Sequence, residues 1–487
     1  MRHFIRQQIL NIDLNGSESD GFVLQHHLSD LYYSKVLPAI GEVLDHCSPS
    51  GSHLIIDRLE IDAGTIDLAR LDQDLASVVA AELRKSIQKV YVKPGLPDDN
   101  AAKKGALIRH DQEKLWEVFI YFLIKGSLPW SYQLPEGKSL EVVFSELLLK
   151  DDKGGDSLVP AAKIMEVFKT AGAAKRLTLQ FSAEFVQMVL SKVAPRVLNV
   201  YNELEVLMDE PDHLPNPSEN VSFTPEIRER MKRIILEKTL ILSSSAVNIS
   251  KVEIVKLVLV DLDSQKDLAK FGVRILEDIL SGDHTLLNNL NIKNLDKTEV
   301  VDEKIPQVSV TAMAGETTVQ EVTEGIFIDN AGLVLLHPFI YRFFEHLGIA
   351  NEDELFQPER ALYMLHYLVT GQAEAPEYEL VLPKLLCGIP LSMPVPLLIE
   401  ISEHEKSEAL SLLDAVIPHW EALGNTSPDG LRGNFLVRPG KLSQKEDGDW
   451  LLQVEPRDYD VLLDRLPWGI SMIRLPWMKT MLWVEWR

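Results

Sequence analysis

Residues 466–487 read LPWGISMIRLPWMKTMLWVEWR and concentrate aromatic side chains in a short stretch. Five of the eight tryptophans of the chain lie after residue 449. Within this stretch, 469–475 and 481–486 have the composition of short strands separated by a turn, which predicts a hairpin. A third strand is predicted upstream, at 450–454, where apolar residues follow a polar turn. The C-terminal end is therefore expected to contain a small sheet.

Helical periodicity lies upstream of and between these strands. Four segments show it: 331–348, 358–371, 403–423 and 457–465. Ser402 and Glu405 have the spacing of a capping box, in which each side chain bonds to the backbone N–H of the other residue. We therefore predict an α+β module over residues 325–487.

The middle of the chain is mostly helical but discontinuous. Helical segments are predicted over 101–208 and 226–290, and a linker over 291–324, where the sequence is polar and lacks a helical period. Proline-rich residues 209–226 separate the two helical segments. Nine prolines in the middle exclude one continuous helix; they are Pro129, Pro135, Pro160, Pro195, Pro211, Pro215, Pro217, Pro225 and Pro306. The pattern favours packed helices joined by linkers.

Residues 1–93 predict a second α+β module. Alternating apolar residues over 4–14 and 53–62 indicate two strands, and a helix with helical leucine spacing follows each. Pro38 is expected to kink the first helix. Residues 94–100 (PGLPDDN) form a predicted linker. The fold class is thus a multi-domain chain with α+β terminal modules joined by a mostly α-helical middle.

Charge and cysteine content restrict the classes of partner. The 487 residues include 49 Lys and Arg against 73 Asp and Glu, a formal charge of −24. Nucleic acids and anionic membranes attract basic surfaces, so neither is an expected partner. Two cysteines cannot form a disulfide framework and fit a reducing compartment. No signal-peptide core or membrane-spanning stretch is visible, which predicts a protein made in the cytoplasm.

The motifs of common catalytic and ligand sites are missing from the sequence. There is no phosphate-binding glycine loop, no H-E-x-x-H zinc motif and no G-x-S-x-G nucleophile elbow. Cys387 lies in an apolar stretch typical of an inert buried thiol, although a pair with His366 stays open. We predict no catalytic, cofactor or metal site, and no enzymatic activity.

The tripeptide Leu-Pro-Trp occurs three times, at 128–130, 466–468 and 475–477. A rigid turn with an aromatic anchor is its simplest interpretation, because tryptophan buries a large surface and offers one N–H donor. The last 20 residues add two further tryptophans. The candidate core or interaction residues are therefore Trp130, Trp468, Trp477, Trp483 and Trp486.

Both ends of the chain resemble the contractile injection system tape measure family, whose members belong to phage-tail-like bacterial particles. Near the N-terminus, Ile9–Leu14, Leu31–Tyr33 and Ile56–Gly64 carry the resemblance, and Phe122–Trp130 in the middle of the chain also does. The C-terminal motifs follow in family order: Asn330–Phe339, Arg360–Leu368, Pro376–Leu380, Lys384–Gly388, Asn425–Arg432, Leu463–Trp468, Leu475–Trp477 and Val484–Trp486. Together they cover about half of the chain.

The resemblance implies a structural protein that sets the length of the inner tube during particle assembly. It also implies inner-tube, baseplate-hub and tube-terminator proteins as partners, or a second copy of the chain. Assembly would take place in the cytoplasm, after which the chain would reside in the particle. Three alternatives stay open: an adaptor between tube and baseplate, a cytoplasmic hydrolase, and a cytoplasmic scaffold unrelated to any particle.

Overall fold

The computed structural model describes most of the two ends and part of the middle of the chain. The described residues are 31–47, 52–56, 59–91, 106–135, 137–151, 160–209, 225–244, 325–351 and 354–486, with Ile5, 8–14, Leu24, His27, Leu28 and five positions between 251 and 258. The predicted linkers at 94–100, 209–226 and 291–324, and the part of the helical segment 226–290 that follows residue 244, lie wholly or largely outside them. The chain divides into two compact units, Met1–Trp116 and Glu117–Arg487. The five predicted segment boundaries stay predictions.

Up to residue 110, the described residues of the first unit form two long helices and one pair of strands. Its elements are a π-helical turn (Tyr32–Val36) leading into α1 (Leu37–Cys47), β1 (Ser52–Ile56), a 3-10 turn (Leu68–Arg70) leading into α2 (Leu71–Tyr91), and β2 (Ala106–His110). The two helices pack together through two small buried clusters. One contains Leu31, Val36 and Leu75, and the other Val43, Leu83 and Ile87. The predicted helices of this region are present.

The irregularity expected at Pro38 takes the form of a widened turn directly before it. The N–H of Leu37 donates to the carbonyl of Tyr32, five residues back. Proline has no N–H, and its ring crowds the carbonyl four residues back, so a regular α-helical turn cannot continue into this position.

The two strand predictions for this region have different outcomes. The stretch 53–62 contains β1, which pairs antiparallel with β2, so that Leu54 lies opposite Ile108. The prediction of a strand over 4–14 is wrong for residues 8–14, which have no strand partner and leave Ile9 73% exposed. Alternation indicates a strand only where a neighbouring strand and a covering surface exist. β2 was not predicted, because five residues (ALIRH) are too short to separate the strand period from the helix period.

The second unit begins with short helices that pack against one another. They are α3 (Asp111–Lys125, which begins in the first unit), α4 (Leu140–Asp151), α5 (Ala161–Val167), α6 (Ala171–Gln180), α7 (Ala183–Val193), α8 (Pro195–Asp209) and α9 (Pro225–Ser243). Aromatic rings fill the space between them, with centroids 4.8 Å apart for Phe119 and Phe144. Within the predicted helical segment 101–208, α7 and α8 are separate helices, because Pro195 cannot continue α7. The prediction of packed helices in place of one rod is confirmed for the described residues.

Residues 325–486 form the predicted α+β module. Its helical elements are a 3-10 helix (Ala331–Leu336), α10 (His337–His346), α11 (Pro358–Thr370), a 3-10 turn (Glu377–Glu379), α12 (Val381–Leu386), α13 (Glu403–His419), 3-10 and π turns at Glu421–Leu423 and Arg432–Leu436, α14 (Pro428–Leu431) and a 3-10 helix (Asp458–Arg465). The helix predicted over 331–348 thus starts as 3-10 and becomes α-helical at His337, with Pro338 in its first turn. The capping box is confirmed: the Ser402 N–H donates to Glu405 Oε2 at 2.8 Å.

A five-stranded sheet completes this module. Its strands are β3 (Ile326–Ile328), β6 (Gly440–Gln444), β7 (Trp450–Val454), β8 (Met472–Ile473) and β9 (Leu482–Glu485), with a separate pair β4 (Ala350–Asn351) and β5 (Glu354–Leu355). The order is β3-β6-β7-β9-β8, antiparallel except for the parallel β7–β9 pair. The predicted hairpin is confirmed, with Ile473 opposite Leu482. One continuous hydrophobic core lies between this sheet and the helices.

Candidate functional site

Three fully buried charged side chains join the short helices to the C-terminal module. Arg176 lies on α6, Glu377 in the 3-10 turn before α12, and Lys384 on α12. Arg176 Nε donates to Glu377 Oε2 at 2.8 Å, and Lys384 Nζ donates to Glu377 Oε1 at 2.6 Å. At most 1% of each side chain is exposed. We call these three residues the charge clamp.

The charge clamp holds two cations and one carboxylate, so its formal charge is +1. Backbone carbonyl groups complete the hydrogen bonding. Lys384 Nζ donates to the carbonyls of Leu391 and Met393 at 3.1 and 2.6 Å, and Arg176 Nη2 to that of Ser392 at 2.7 Å. Burial lowers the pKa of Lys384, and the Glu377 carboxylate opposes that change. A buried charge without such partners would be strongly unfavourable.

Neighbouring backbone contacts extend this connection along α6. The Gln180 amide donates to the carbonyl of Val395 at 2.7 Å and accepts from the N–H of Glu377 at 2.8 Å. The N–H of Leu397 donates to the carbonyl of Leu179 at 2.9 Å. The segment after α12 is therefore attached to α6 by charged, amide and backbone groups together.

Gly126 allows the Glu377 carboxylate of the charge clamp to lie directly against the C-terminal end of α3. Its φ of +76° lies in the left-handed region, which glycine adopts without strain. A Cβ at this position would lie 2.3 Å from Glu377 Oε1. Gly126 therefore has two roles. Its left-handed backbone ends α3, and the absence of a side chain leaves room for the Glu377 carboxylate.

Two of the Leu-Pro-Trp motifs make the same contact. Trp468 Nε1 donates to the carbonyl of Leu335 at 3.0 Å, and Trp477 Nε1 donates to that of Leu386 at 2.8 Å. Leu386 is the last residue of α12, and Leu335 lies where the 3-10 helix passes into α10, three residues before Pro338, which has no N–H to donate. Each indole thus anchors a turn to a backbone carbonyl of a helical segment. The third motif places Trp130 half-buried in the turn after α3.

Trp486 belongs to a second buried ionic contact. Asp460 accepts a hydrogen bond from Arg438 and another from Trp486 Nε1, the latter at 3.1 Å. The Arg438 guanidinium lies over the rings of Tyr459 and Trp486, 5.1 and 5.3 Å from their centroids. These ring faces lie against a guanidinium whose Nε and Nη1 have no hydrogen-bond partner among the described residues.

Trp483 is the predicted residue that stays accessible. Its side chain is 37% exposed, its Nε1 donates to Asp449 Oδ2 at 3.1 Å, and Lys445 Nζ lies 4.9 Å from its ring centroid. Trp468, Trp477 and Trp486 therefore make packing contacts inside the module. A role in binding partners stays a prediction for all five tryptophans.

The candidate Cys387–His366 pair is not assembled as a nucleophile and base. Burial raises the pKa of the Cys387 thiol, which disfavours the reactive thiolate. His366 Nε2 donates to the carbonyl of Glu374 at 3.0 Å, while Nδ1 lies 3.9 Å from Glu379 Oε2. Burial also lowers the pKa of His366 to about 4. Neither ring nitrogen therefore faces the thiol.

The described part of the chain contains no group of three or more His, Cys, Asp or Glu side chains that could hold a metal ion. None of its helices is long and apolar enough to cross a membrane.

Sequence reasoning missed the charge clamp entirely. Arg176 and Glu377 are separated by 201 positions, and isolated charged residues most often lie on a solvated surface. The one local signal is the run Lys384–Gly388, in which a lysine lies among apolar residues.

The short packed helices and the sheet-containing module, with the contacts that hold them, define a multi-domain protein of mixed helical and α+β class. The sequence matches the contractile injection system tape measure protein family over residues 2–486, nearly its whole length. The chain therefore belongs to the contractile injection system tape measure protein family, and its role is structural, in particle assembly. No curated protein and no solved structure gives a significant match.

Proposed function

We propose that the chain sets the length of the inner tube while the particle is assembled, and that it does so without catalysis. The family match over residues 2–486 is the observation that carries this proposal. Its partners are the inner-tube, baseplate-hub and tube-terminator proteins. Assembly takes place in the cytoplasm, and the chain then resides in the particle.

The described helices bear on how length could be measured. A helix rises ~1.5 Å per residue, so a fully helical middle of ~230 residues would span about 345 Å. The longest described helix of the second unit, α9, has 19 residues, which corresponds to about 28 Å. If the chain acts as a ruler, its length is therefore distributed over several helices and their connections.

A second candidate function is an adaptor between the tube and the baseplate of the same particle. The charge clamp favours it, because α6 is joined to the C-terminal module by fully buried ion pairs. Such contacts suit a body that keeps one shape while it joins two other proteins.

Insertions within residues 210–224 distinguish the two functions. A helix-forming insert of 20 or 40 residues would extend a ruler by at most about 30 or 60 Å. We expect tubes that lengthen in proportion to the insert, measured on electron micrographs of isolated particles. A 40-residue insert rich in Gly and Ser serves as the matched control, because its root-mean-square span of about 35 Å is clearly shorter than that of the helical insert, which is about 60 Å.

Normal particles of unchanged tube length with both helical inserts would reject the ruler and support the adaptor. A strain without the chain tests the assembly role itself. Wild-type numbers of normal particles in that strain would contradict both functions.

A further inference from the structure

His366 has a buried nitrogen without a donor. The side chain is 1% exposed, and Nε2 must carry the ring proton, because its partner is the carbonyl of Glu374. Nδ1 is therefore an acceptor, and it has no hydrogen-bond partner among the described residues. It faces Glu379 Oε2 at 3.9 Å. Two acceptors thus face each other with no donor between them.

Two further carboxylates surround this pair. Asp329 follows β3, Glu374 lies in the loop after α11, and both are exposed. Burial, together with the nearby charges of Asp329 and Glu374, raises the pKa of Glu379 to about 7, although the hydrogen bond from Tyr378 lowers it. No Lys or Arg among the described residues forms an ion pair with these three carboxylates. We call Asp329, Glu374, Glu379 and the Nδ1 face of His366 the acidic notch.

Exposed apolar side chains lie beside the acidic notch. Leu398 is 59% exposed and bridges to Glu374 through the backbone, and Phe327, two residues before Asp329 in the chain, is 50% exposed. Apolar and aromatic side chains beside unpaired charge are typical of protein interfaces. The surrounding module adds to the acidity, with 13 Lys and Arg against 24 Asp and Glu over residues 325–487.

We propose that the acidic notch receives a Lys or Arg side chain of a protein partner in the particle, with Phe327 and Leu398 contacting apolar groups beside it. A cationic donor satisfies the carboxylate and the imidazole acceptor at once and relieves the repulsion among the three carboxylates. In the free protein, a protonated Glu379 carboxyl can instead donate a hydrogen bond to His366 Nδ1. The inference rests on the assembly role proposed above, because it places a partner on this chain.

Two variants test the acidic notch in the particle. Glu379→Gln removes one charge, and its amide can donate to His366 Nδ1, so the fold should be kept. Glu374→Lys reverses an exposed charge without altering the backbone carbonyl that holds His366. We expect each to lower the amount of the chain that co-purifies with particles at least tenfold. Glu345→Lys, an exposed reversal on α10, is the matched control and should leave this amount unchanged.

The purified full-length chain gives a direct measurement. Acetyl-arginine amide is added as the probe, and the ring signals of ¹³C-labelled histidines are followed by NMR. We expect the His366 signal to shift with the probe at pH 7.5 and not to shift in Glu379→Gln. A His366 signal that responds to pH alone would show that the site takes a proton only, and would overturn the proposal.

Different results would contradict the acidic notch and the assembly role. Normal co-purification of both notch variants, in particles that the chain-deleted strain cannot make, would reject the notch and keep the assembly role. Normal particles without the chain would reject the assembly role, while the probe measurement would still decide whether the notch binds a basic group.

Discussion

The two units of the chain place their charges differently. In the first unit, cores of three buried residues each lie between α1 and α2, and ion pairs such as Lys85–Glu82 stay on the surface, with the lysine 61% exposed. In the second unit, the C-terminal module has a continuous core, and the charge clamp and the Arg438–Asp460 pair are almost completely buried. The difference teaches that a larger core can enclose ions when carbonyls, indoles and carboxylates supply their hydrogen bonds.

The largest expected effect comes from removing the carboxylate of the charge clamp. Glu377→Ala leaves Arg176 and Lys384 buried without a counter-ion, which is expected to lower the free energy of unfolding of the second unit by about 3–5 kcal/mol. Urea unfolding followed by tryptophan fluorescence measures this, because seven of the eight tryptophans lie in the second unit.

Glu82→Ala is the matched control in the first unit. It removes an exposed ion pair, which typically contributes about 0–1 kcal/mol. Equal losses of stability for the two variants would contradict the proposed difference between the units.

A second pair of variants sharpens the comparison within the C-terminal module. Trp486→Ala removes a buried ring and a donor to Asp460, and is expected to lower the free energy of unfolding by about 3–5 kcal/mol. Trp483→Ala removes a partly exposed ring and should change it by about 1 kcal/mol or less. Thermal unfolding of both variants checks this. A larger loss for Trp483→Ala would mean that its side chain is packed and not accessible.

The smallest expected effect concerns the cap of α13 and depends on pH. Burial alone would raise the pKa of Glu405, but hydrogen bonds from Arg360 and Ser402 outweigh it and hold the pKa at about 2. The pKa is therefore lower in the folded chain than the usual value of 4.5, so the carboxylate stabilises the fold above about pH 4.5 and less as the pH falls towards 2.

Glu405→Gln should accordingly destabilise the protein more at pH 6 than at pH 3. Denaturant unfolding at both pH values measures the difference. Ser402→Ala, which removes the other half of the capping box, is expected to lower the free energy of unfolding by about 1 kcal/mol. A deficit in Glu405→Gln that stays constant between the two pH values would contradict this account.

Local patterns predicted the regular elements that have strong periodicity. The helices at 358–371 and 403–423, the capping box and the strand at 450–454 depend on neighbouring residues, and the structure contains all of them. The missed strand β6 precedes a turn that contains Asp447–Gly448, a dipeptide frequent in hairpins. That turn was the signal that could have revealed the β6–β7 pair.

Such local patterns could not predict contacts between residues that are far apart in the sequence. The pairing of β1 with β2 and the contacts of Arg176 with Glu377 join residues that no local period relates. The acidic notch was equally hidden, because Asp329, Glu374, Glu379 and His366 come together only after β3, α11 and the turn before α12 have packed. Single charged residues in a sequence do not show whether they will be buried.

The close approach of Gly126 to Glu377 has an evolutionary consequence. Since a Cβ at Gly126 would lie 2.3 Å from the carboxylate oxygen, any other residue there is incompatible with the glutamate as it is placed. A side chain at 126 would require Glu377 to move or change, and it would still be strained by the left-handed backbone. Loss of Glu377 first would leave Arg176 and Lys384 without a counter-ion, so either order of substitution passes through a destabilised intermediate. The substitutions that residue 126 can accept during evolution therefore depend on residue 377, which lies 251 positions further along the chain.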